Sequence, residues 1–215
     1  MTSQLSIKES LRLLKKYNIP VVNSRVANDK ESLLKAAGRI GFPVVIKIDS
    51  PDIIHKSDAG MVVTDINNKR ELEEAYEKIM NNVKAKSPVP HINGVMVSGA
   101  ASGVEVIVGA KKDRQFGPVV LCGIGGVFVE VLKDISLRVA PIDRNTALEM
   151  INELKGKRLL EGVRGMEEVN KKKIADLIVK VSVMIDKETT INEMDFNPVI
   201  ANNKTAKVAD MRILK

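Results

Sequence analysis

A helix-period stripe set behind strand-like runs constrains this chain more than any other feature. Over residues 69–86, Leu72, Ala75, Tyr76, Ile79, Met80 and Val83 fall at i, i+3, i+4, i+7, i+8 and i+11, the apolar face of an amphipathic helix. Upstream, Pro43-Val44-Val45-Ile46-Lys47-Ile48 reads as a short buried strand, every side chain there being apolar but Lys47, with Asp49 opening the loop that follows. Further helices are predicted over 6–18, ended by Asn18-Ile19-Pro20, over 28–40, capped by Asn28 or Asp29 and closed by Gly41, and over 144–154 and 166–186. Strands are predicted over 21–26, 61–66, 94–98, 104–111, 119–122, 136–141, 190–194 and 207–213. The fold class is α+β, with an α/β-like alternation. A composition shift near Pro88 divides the chain into a first lobe, 1–90, and a strand-rich second lobe, 91–215, and a cleft between them is the expected ligand site.

Charge and composition narrow the function classes. The 215 residues carry a formal charge of +7 and are 44% hydrophobic, so a packed core forms and a disordered tail is excluded. That surplus alone would suggest a basic nucleic-acid-binding module. Aromatic residues make up only 3%, however, which leaves few platforms for base stacking, and Lys and Glu interleave over 69–86 as on a solvated helix face. No nucleic-acid partner is expected. The single cysteine, Cys122, excludes a disulfide framework and suits a reducing cytoplasm. Residues 1–10 lack the apolar core of a signal peptide, and the longest uncharged stretches, 88–104 and 115–129, contain Pro and Gly and fall short of the roughly 20 apolar residues of a membrane span. A cytoplasmic chain without membrane contact is expected.

Four motifs carry possible chemistry. Lys47, in its apolar run, is either a phosphate ligand on a rigid strand or a strand-end lysine reaching water where the strand leaves the core. The loop 49–60 gathers His55, Lys56, Ser57, Asp58 and Gly60, which together offer cations, a hydroxyl and backbone N–H groups to an anion; imidazole is also a competent nucleophile toward phosphorus, although a loop histidine can equally be an incidental surface residue. In Gly123-Ile124-Gly125-Gly126, glycine either admits a bound group close to the backbone or serves a tight turn. In Asn192-Glu193-Met194-Asp195-Phe196-Asn197-Pro198, strand alternation puts Glu193, Asp195 and Asn197 on one face, and with Asp210 on a neighbouring strand they form an oxygen-only set suited to Mg2+ beside nucleotide phosphates.

Taken in order, these pieces resemble the ATP-grasp family, and within it the nucleotide-binding beta subunit of ADP-forming acetyl-CoA synthetases. The resemblance runs end to end. Its most specific stretches are Gly41-Phe42-Pro43-Val44-Val45-Ile46-Lys47, His55-Lys56-Ser57-Asp58, Gly103-Val104-Glu105-Val106-Ile107-Val108-Gly109-Ala110, Gly126 through Asp134, and Met194-Asp195-Phe196-Asn197-Pro198. It implies an ATP-grasp fold in which two α+β lobes enclose ATP or ADP. Lys47 would meet the phosphates, adenine would lie against the backbone near 96–99, including Val97 and Ser98 where the family usually has Gln-Glu, and Glu105 would bind ribose. Lys56, Ser57, Gly125 and Gly126 would surround the mobile phosphate. Asn197 and Asp210, with Asp195, would hold Mg2+. His55 would take up a phosphoryl group from a CoA-binding alpha subunit, in an α2β2 hetero-oligomer, during acetyl-CoA + ADP + phosphate ⇌ acetate + CoA + ATP. The alternative is another ATP-grasp ligase of the succinyl-CoA synthetase beta type, whose chains normally continue into a further C-terminal domain and whose fit to the His55 loop is poorer.

Overall fold

The computed structural model of the chain describes residues 3–53, 59–126, 134–162 and 167–215. The chain divides into two compact units: one comprises Leu5–Glu9 and Val22–Ala100, the other Met1–Gln4, Ser10–Val21 and Ala101–Lys215. Helix α1 (Ile7–Lys16) therefore starts in one unit and ends in the other.

The unit built on Val22–Ala100 holds β1 (Ser24–Ala27), α2 (Lys30–Ile40), β2 (Val44–Asp49), β3 (Val62–Ile66), α3 (Lys69–Lys84) and β4 (Gly94–Gly99). Its strands form an antiparallel sheet in the order β1-β4-β2-β3. Asp29 caps α2, its carboxylate accepting the Ser32 N–H at 2.7 Å, and Asn68 caps α3 in the same way through the Glu71 N–H at 3.0 Å. Leu33 and Ala37 of α2 and Leu72, Ala75, Ile79 and Val83 of α3 join Val44, Ile46, Ile48, Val95 and Val97 in one aliphatic core. Burial of this apolar surface is the main force holding helices to sheet. Strand β4 falls in what the composition shift assigned to the second lobe, yet it is an interior strand of this first sheet. Hydrogen-bond pairing on both of its edges decides its place, and composition carries no signal of pairing.

The second unit holds β5 (Val104–Asp113), β6 (Gly117–Ile124), β7 (Ile135–Val139), α4 (Arg144–Glu153), a 3-10 turn (Lys155–Glu161), α5 (Lys171–Lys187), β8 (Glu193–Ala201), β9 (Ala206–Val208) and β10 (Arg212–Leu214). Among the described residues its strands run β10-β8-β5-β6-β7, with β9 also pairing β8. The buried face of α5, including Ile174, Leu177, Ile178, Val181 and Ile185, covers β5 and β6.

Two strand expectations need correction here. The strand expected at 190–194 runs instead from Glu193 to Ala201, straight through Asn197-Pro198. The register against β5 slips there, Val106 facing Val199 but Val108 facing Phe196, so β8 carries an extra residue. A bulge tolerates proline because the ladder is already interrupted. The strand expected at 207–213 is two short ones, with Ala209 and Asp210 in the bend between them.

Gly103 opens β5 where its backbone crosses β8: an added Cβ would stand 2.3 Å from the Ala201 carbonyl oxygen. That neighbour is backbone paired in the sheet and cannot yield cheaply. Gly103→Ala should cost about 3 kcal/mol and lower Tm by roughly 6 to 12 °C in scanning calorimetry; an unchanged Tm would show that β5 and β8 can separate at this point.

Candidate functional site

Lys47 does not emerge at a strand end. It sits within the β2 ladder, opposite Met96 of β4 and Val62 of β3, and is 4% exposed. Alternation places it on the sheet face away from α2 and α3, together with Asp49, which is 2% exposed. The Asp49 carboxylate accepts the backbone N–H of Ile7 at 3.1 Å. That is the first residue of α1, so a buried carboxylate meets the positive end of the helix dipole. The strand-end reading fails because β2 stays paired one residue beyond Ile48, to Asp49.

Val97 and Ser98 do not suit the adenine role given to them. The Val97 side chain is fully buried in the α2–α3 core, and both residues lie in interior strand β4, whose backbone is paired with β1 on one edge and β2 on the other. A backbone already committed to two ladders has no N–H or C=O to offer adenine.

On the other unit, several expected residues do come together. The Gly125 N–H donates to the Glu105 carbonyl at 2.7 Å, and a Cβ on Gly125 would lie 2.9 Å from the Glu105 Cβ and 3.0 Å from its carbonyl carbon and oxygen. Only glycine permits this approach. Gly126 follows at φ +75°, near the Glu105 carboxylate, and the Glu105 side chain is exposed.

Along β5, alternation puts Glu105 on the same face as Gly109, and Gly109 stands opposite Asp195 of β8. Glu193 and Asp195 share that face half-buried, Met194 and Phe196 point into the core, and Asn197 is exposed. Asp210 is not on the last strand, but its N–H and that of Ala209 both donate to the Pro198 carbonyl, at 3.3 and 2.9 Å, which holds it beside Asn197. Burial raises the Asp195 pKa from its ordinary value; Arg212 opposes the shift, and the negative charges of Asp210 and Glu193 add to it. Arg212 faces Asp195 across the β8–β10 ladder. Sequence reasoning passed over this arginine, although its position two residues after Asp210 was visible.

These donors fit Mg2+. They are hard oxygens, and their mutual repulsion is what a divalent cation would relieve. Among the described residues no three His, Cys, Asp or Glu side chains form a metal-binding group by themselves. Mg2+ usually takes one or two carboxylates and completes its shell with water and substrate phosphates. His55, Lys56 and Ser57 lie outside the described residues, as does the motif segment 127–133. Among the described residues no helix is long and apolar enough to cross a membrane.

The ATP-grasp domain model matches residues 1–214. The beta subunit of acetate–CoA ligase (ADP-forming) I from Pyrococcus furiosus is 46% identical over 207 residues, which cover 96% of this chain and 89% of that subunit. The dinucleotide forming acetyl-coenzyme A synthetase 1 of Ca. Korarchaeum cryptofilum, solved with coenzyme A, Ca-AMPCP and HgCl+, superposes with a TM-score of 0.94 at 43% identity, covering 99% of this chain and 93% of that one. The same enzyme with coenzyme A and Mg-AMPPCP, its phosphohistidine segment pointing towards the nucleotide binding site, gives 0.85 at 40% identity, covering 99% of this chain and 92% of that one. The chain belongs to the ATP-grasp family, and within it to the nucleotide-binding beta-type subunits of ADP-forming acetate–CoA ligases.

Cys122, on β6 just before Gly123, has no part in this chemistry. It is 1% exposed, and burial pushes its thiol up to about 12. Almost no thiolate exists near neutral pH, and the thiolate is the reactive form. Iodoacetamide at pH 8 should leave the folded chain unlabelled and modify one residue after denaturation, as read by mass spectrometry; rapid native labelling would contradict the burial.

Proposed function

We propose that this chain binds Mg-ADP and Mg-ATP and passes a phosphoryl group between a histidine of a CoA-binding alpha subunit and ADP, within acetyl-CoA + ADP + phosphate ⇌ acetate + CoA + ATP. One observation supports this above the others: Asp195 shares the sheet face of Glu105, which lies against Gly125, and the Pro198 carbonyl holds the Asp210 backbone to the segment of β8 that carries Asn197. Family membership and the relatives' nucleotide complexes point the same way.

The residues divide the work by chemistry. Lys47 offers a fixed ammonium to phosphate oxygens, the Glu105 carboxylate accepts from ribose hydroxyls, and the Gly125-Gly126 backbone allows the nucleotide to approach closely. Asp195, Asn197 and Asp210 hold Mg2+, which supplies charge neutralisation at the β- and γ-phosphate oxygens. His55, flanked by Lys56 and Ser57, is the phosphoryl carrier. One imidazole nitrogen bonds phosphorus as the bond to the alpha-subunit histidine breaks; the P–N bond to His55 then breaks as a terminal ADP oxygen attacks, giving ATP and neutral His55. Positive charge and N–H groups placed where phosphoryl charge spreads lower the barrier, since this class of transfer depends on positioning and electrostatics. Alpha and beta chains assemble as α2β2, and the alpha chain selects the acid.

Two variants test this in the reconstituted complex. Lys47→Met, which keeps side-chain bulk, should weaken Mg-ADP binding by about tenfold to a hundredfold in calorimetry, and unchanged affinity would remove Lys47 from the site. His55→Ala should bind Mg-ADP as the parent does yet make no ATP from acetyl-CoA, ADP and phosphate; turnover at the parent rate would exclude His55 as carrier.

A further inference from the structure

The outermost described strand of the second sheet, β7, turns an apolar row to solvent. Ile135, Leu137 and Val139 are 44, 49 and 54% exposed, and alternation puts all three on one face. Phe116, 61% exposed, stands at the β5–β6 turn near the end of that row, where the Ala140 N–H donates to the Pro118 carbonyl at 2.8 Å. Of the six large hydrophobic side chains exposed among the described residues, four therefore gather along this edge. Sheet edges are commonly blunted by charge or proline. Here the one charged side chain of β7, Arg138, points to the opposite face and pairs with Glu153 of α4. Among the described residues no strand pairs with the outer edge of β7. Register also ties the row to the site: Asp195, Gly109, Leu121 and Leu137 stand directly opposite one another in β8, β5, β6 and β7. Three steps of about 4.8 Å put Leu137 roughly 14 Å from Asp195 on the same face.

We propose that this edge of the second sheet seats the CoA-binding alpha chain, so that its phosphohistidine arrives along the face that carries Asp195. The inference rests on reading this chain as the nucleotide-binding partner of such a subunit, and it names the surface they share. Area and charge choose this occupant over a second copy. Four side chains about half exposed offer roughly 300 to 400 Å2, at about 150 to 250 Å2 for a large side chain. A stable interface takes about 800 Å2 from each partner, so the occupant must extend well beyond the row. Two copies would each bring a formal charge of +7, and the turn that holds Phe116 adds Lys111, Lys112 and Arg114 against Asp113. Like charges of that size oppose self-association. The surface fits a different chain that covers the apolar row and sets acidic groups against the basic turn. Any chain that delivers a phosphoryl group to nucleotide at Asp195 must sit within reach of this face.

Sedimentation of the full-length chain with the purified alpha chain tests the surface, with Mg-ADP calorimetry as control. Leu137→Asp and Phe116→Ser should each weaken assembly about tenfold to a hundredfold, while Tm and Mg-ADP affinity of the variant chains stay at parental values. Arg114→Glu should weaken assembly severalfold at low salt and much less at high salt. If Leu137→Asp fails to fold by circular dichroism, hydrogen exchange on the parent decides: amides of 135–139 should slow when the alpha chain binds. Parental assembly by folded Leu137→Asp and Phe116→Ser, or unchanged exchange over 135–139 in the complex, overturns the proposal. A parent chain that dimerises alone, with Leu137→Asp restoring the monomer, also overturns it and gives the row to a second copy. So does a lowered Tm in both variants with assembly intact, which gives the row to packing within the chain. A parent chain that binds no alpha chain removes the partner reading along with the surface; a parent and variants that all assemble alike remove the surface alone.

Discussion

The carbonyl of Pro198 organises the acidic face. It accepts the N–H groups of Ala209 and Asp210 at 2.9 and 3.3 Å, and so closes the bend between β9 and β10 onto the bulge in β8. Without that closure Asp210 would be a loop carboxylate with no fixed relation to Asp195 or Asn197. With it, β10 re-enters the ladder and sets Arg212 against Asp195. Proline contributes twice here, by occupying a position the interrupted ladder can spare and by leaving its carbonyl for two donors.

The resulting face is electrostatically uncomfortable, and that is informative. Asp195 is half-buried, its charged form disfavoured first by loss of solvent and then by Asp210 and Glu193. Arg212 relieves part of this and carries an unmade hydrogen bond of its own. Stability alone would favour neutral packing at such positions, and local conflict of this kind concentrates where a protein binds or reacts. Asp49 differs: that carboxylate, more deeply buried than Asp195, is answered by the N-terminus of α1.

Periodicity carried most of the element assignments. The apolar stripe Leu72, Ala75, Ile79 and Val83 is the buried face of α3, Asp29 is the cap of α2, and the in-out alternation of Glu193, Met194, Asp195 and Phe196 holds. Errors arose where pairing overrode local preference. Asn197-Pro198 has turn chemistry by composition, yet it lies inside a strand because β8 pairs with β5 both before and after it, and on the other edge with β10 before it and β9 after it. Val97 and Ser98 matched a nucleotide-contacting segment by position, but interior pairing consumed their backbone.

Sequence alone determined which residues are chemically able to serve: the carboxylates and amide around Asp195, the glycines Gly125 and Gly126, and the lysine within the apolar run at 43–48. It also determined the α+β class, since side-chain period is a property of the local chain. Tertiary structure alone decided that Lys47 is buried rather than at a strand end, that Gly125 lies against Glu105, and that Arg212 faces Asp195. These depend on strand register and on contacts between residues far apart in the chain, and the energy of such pairings belongs to both partners at once.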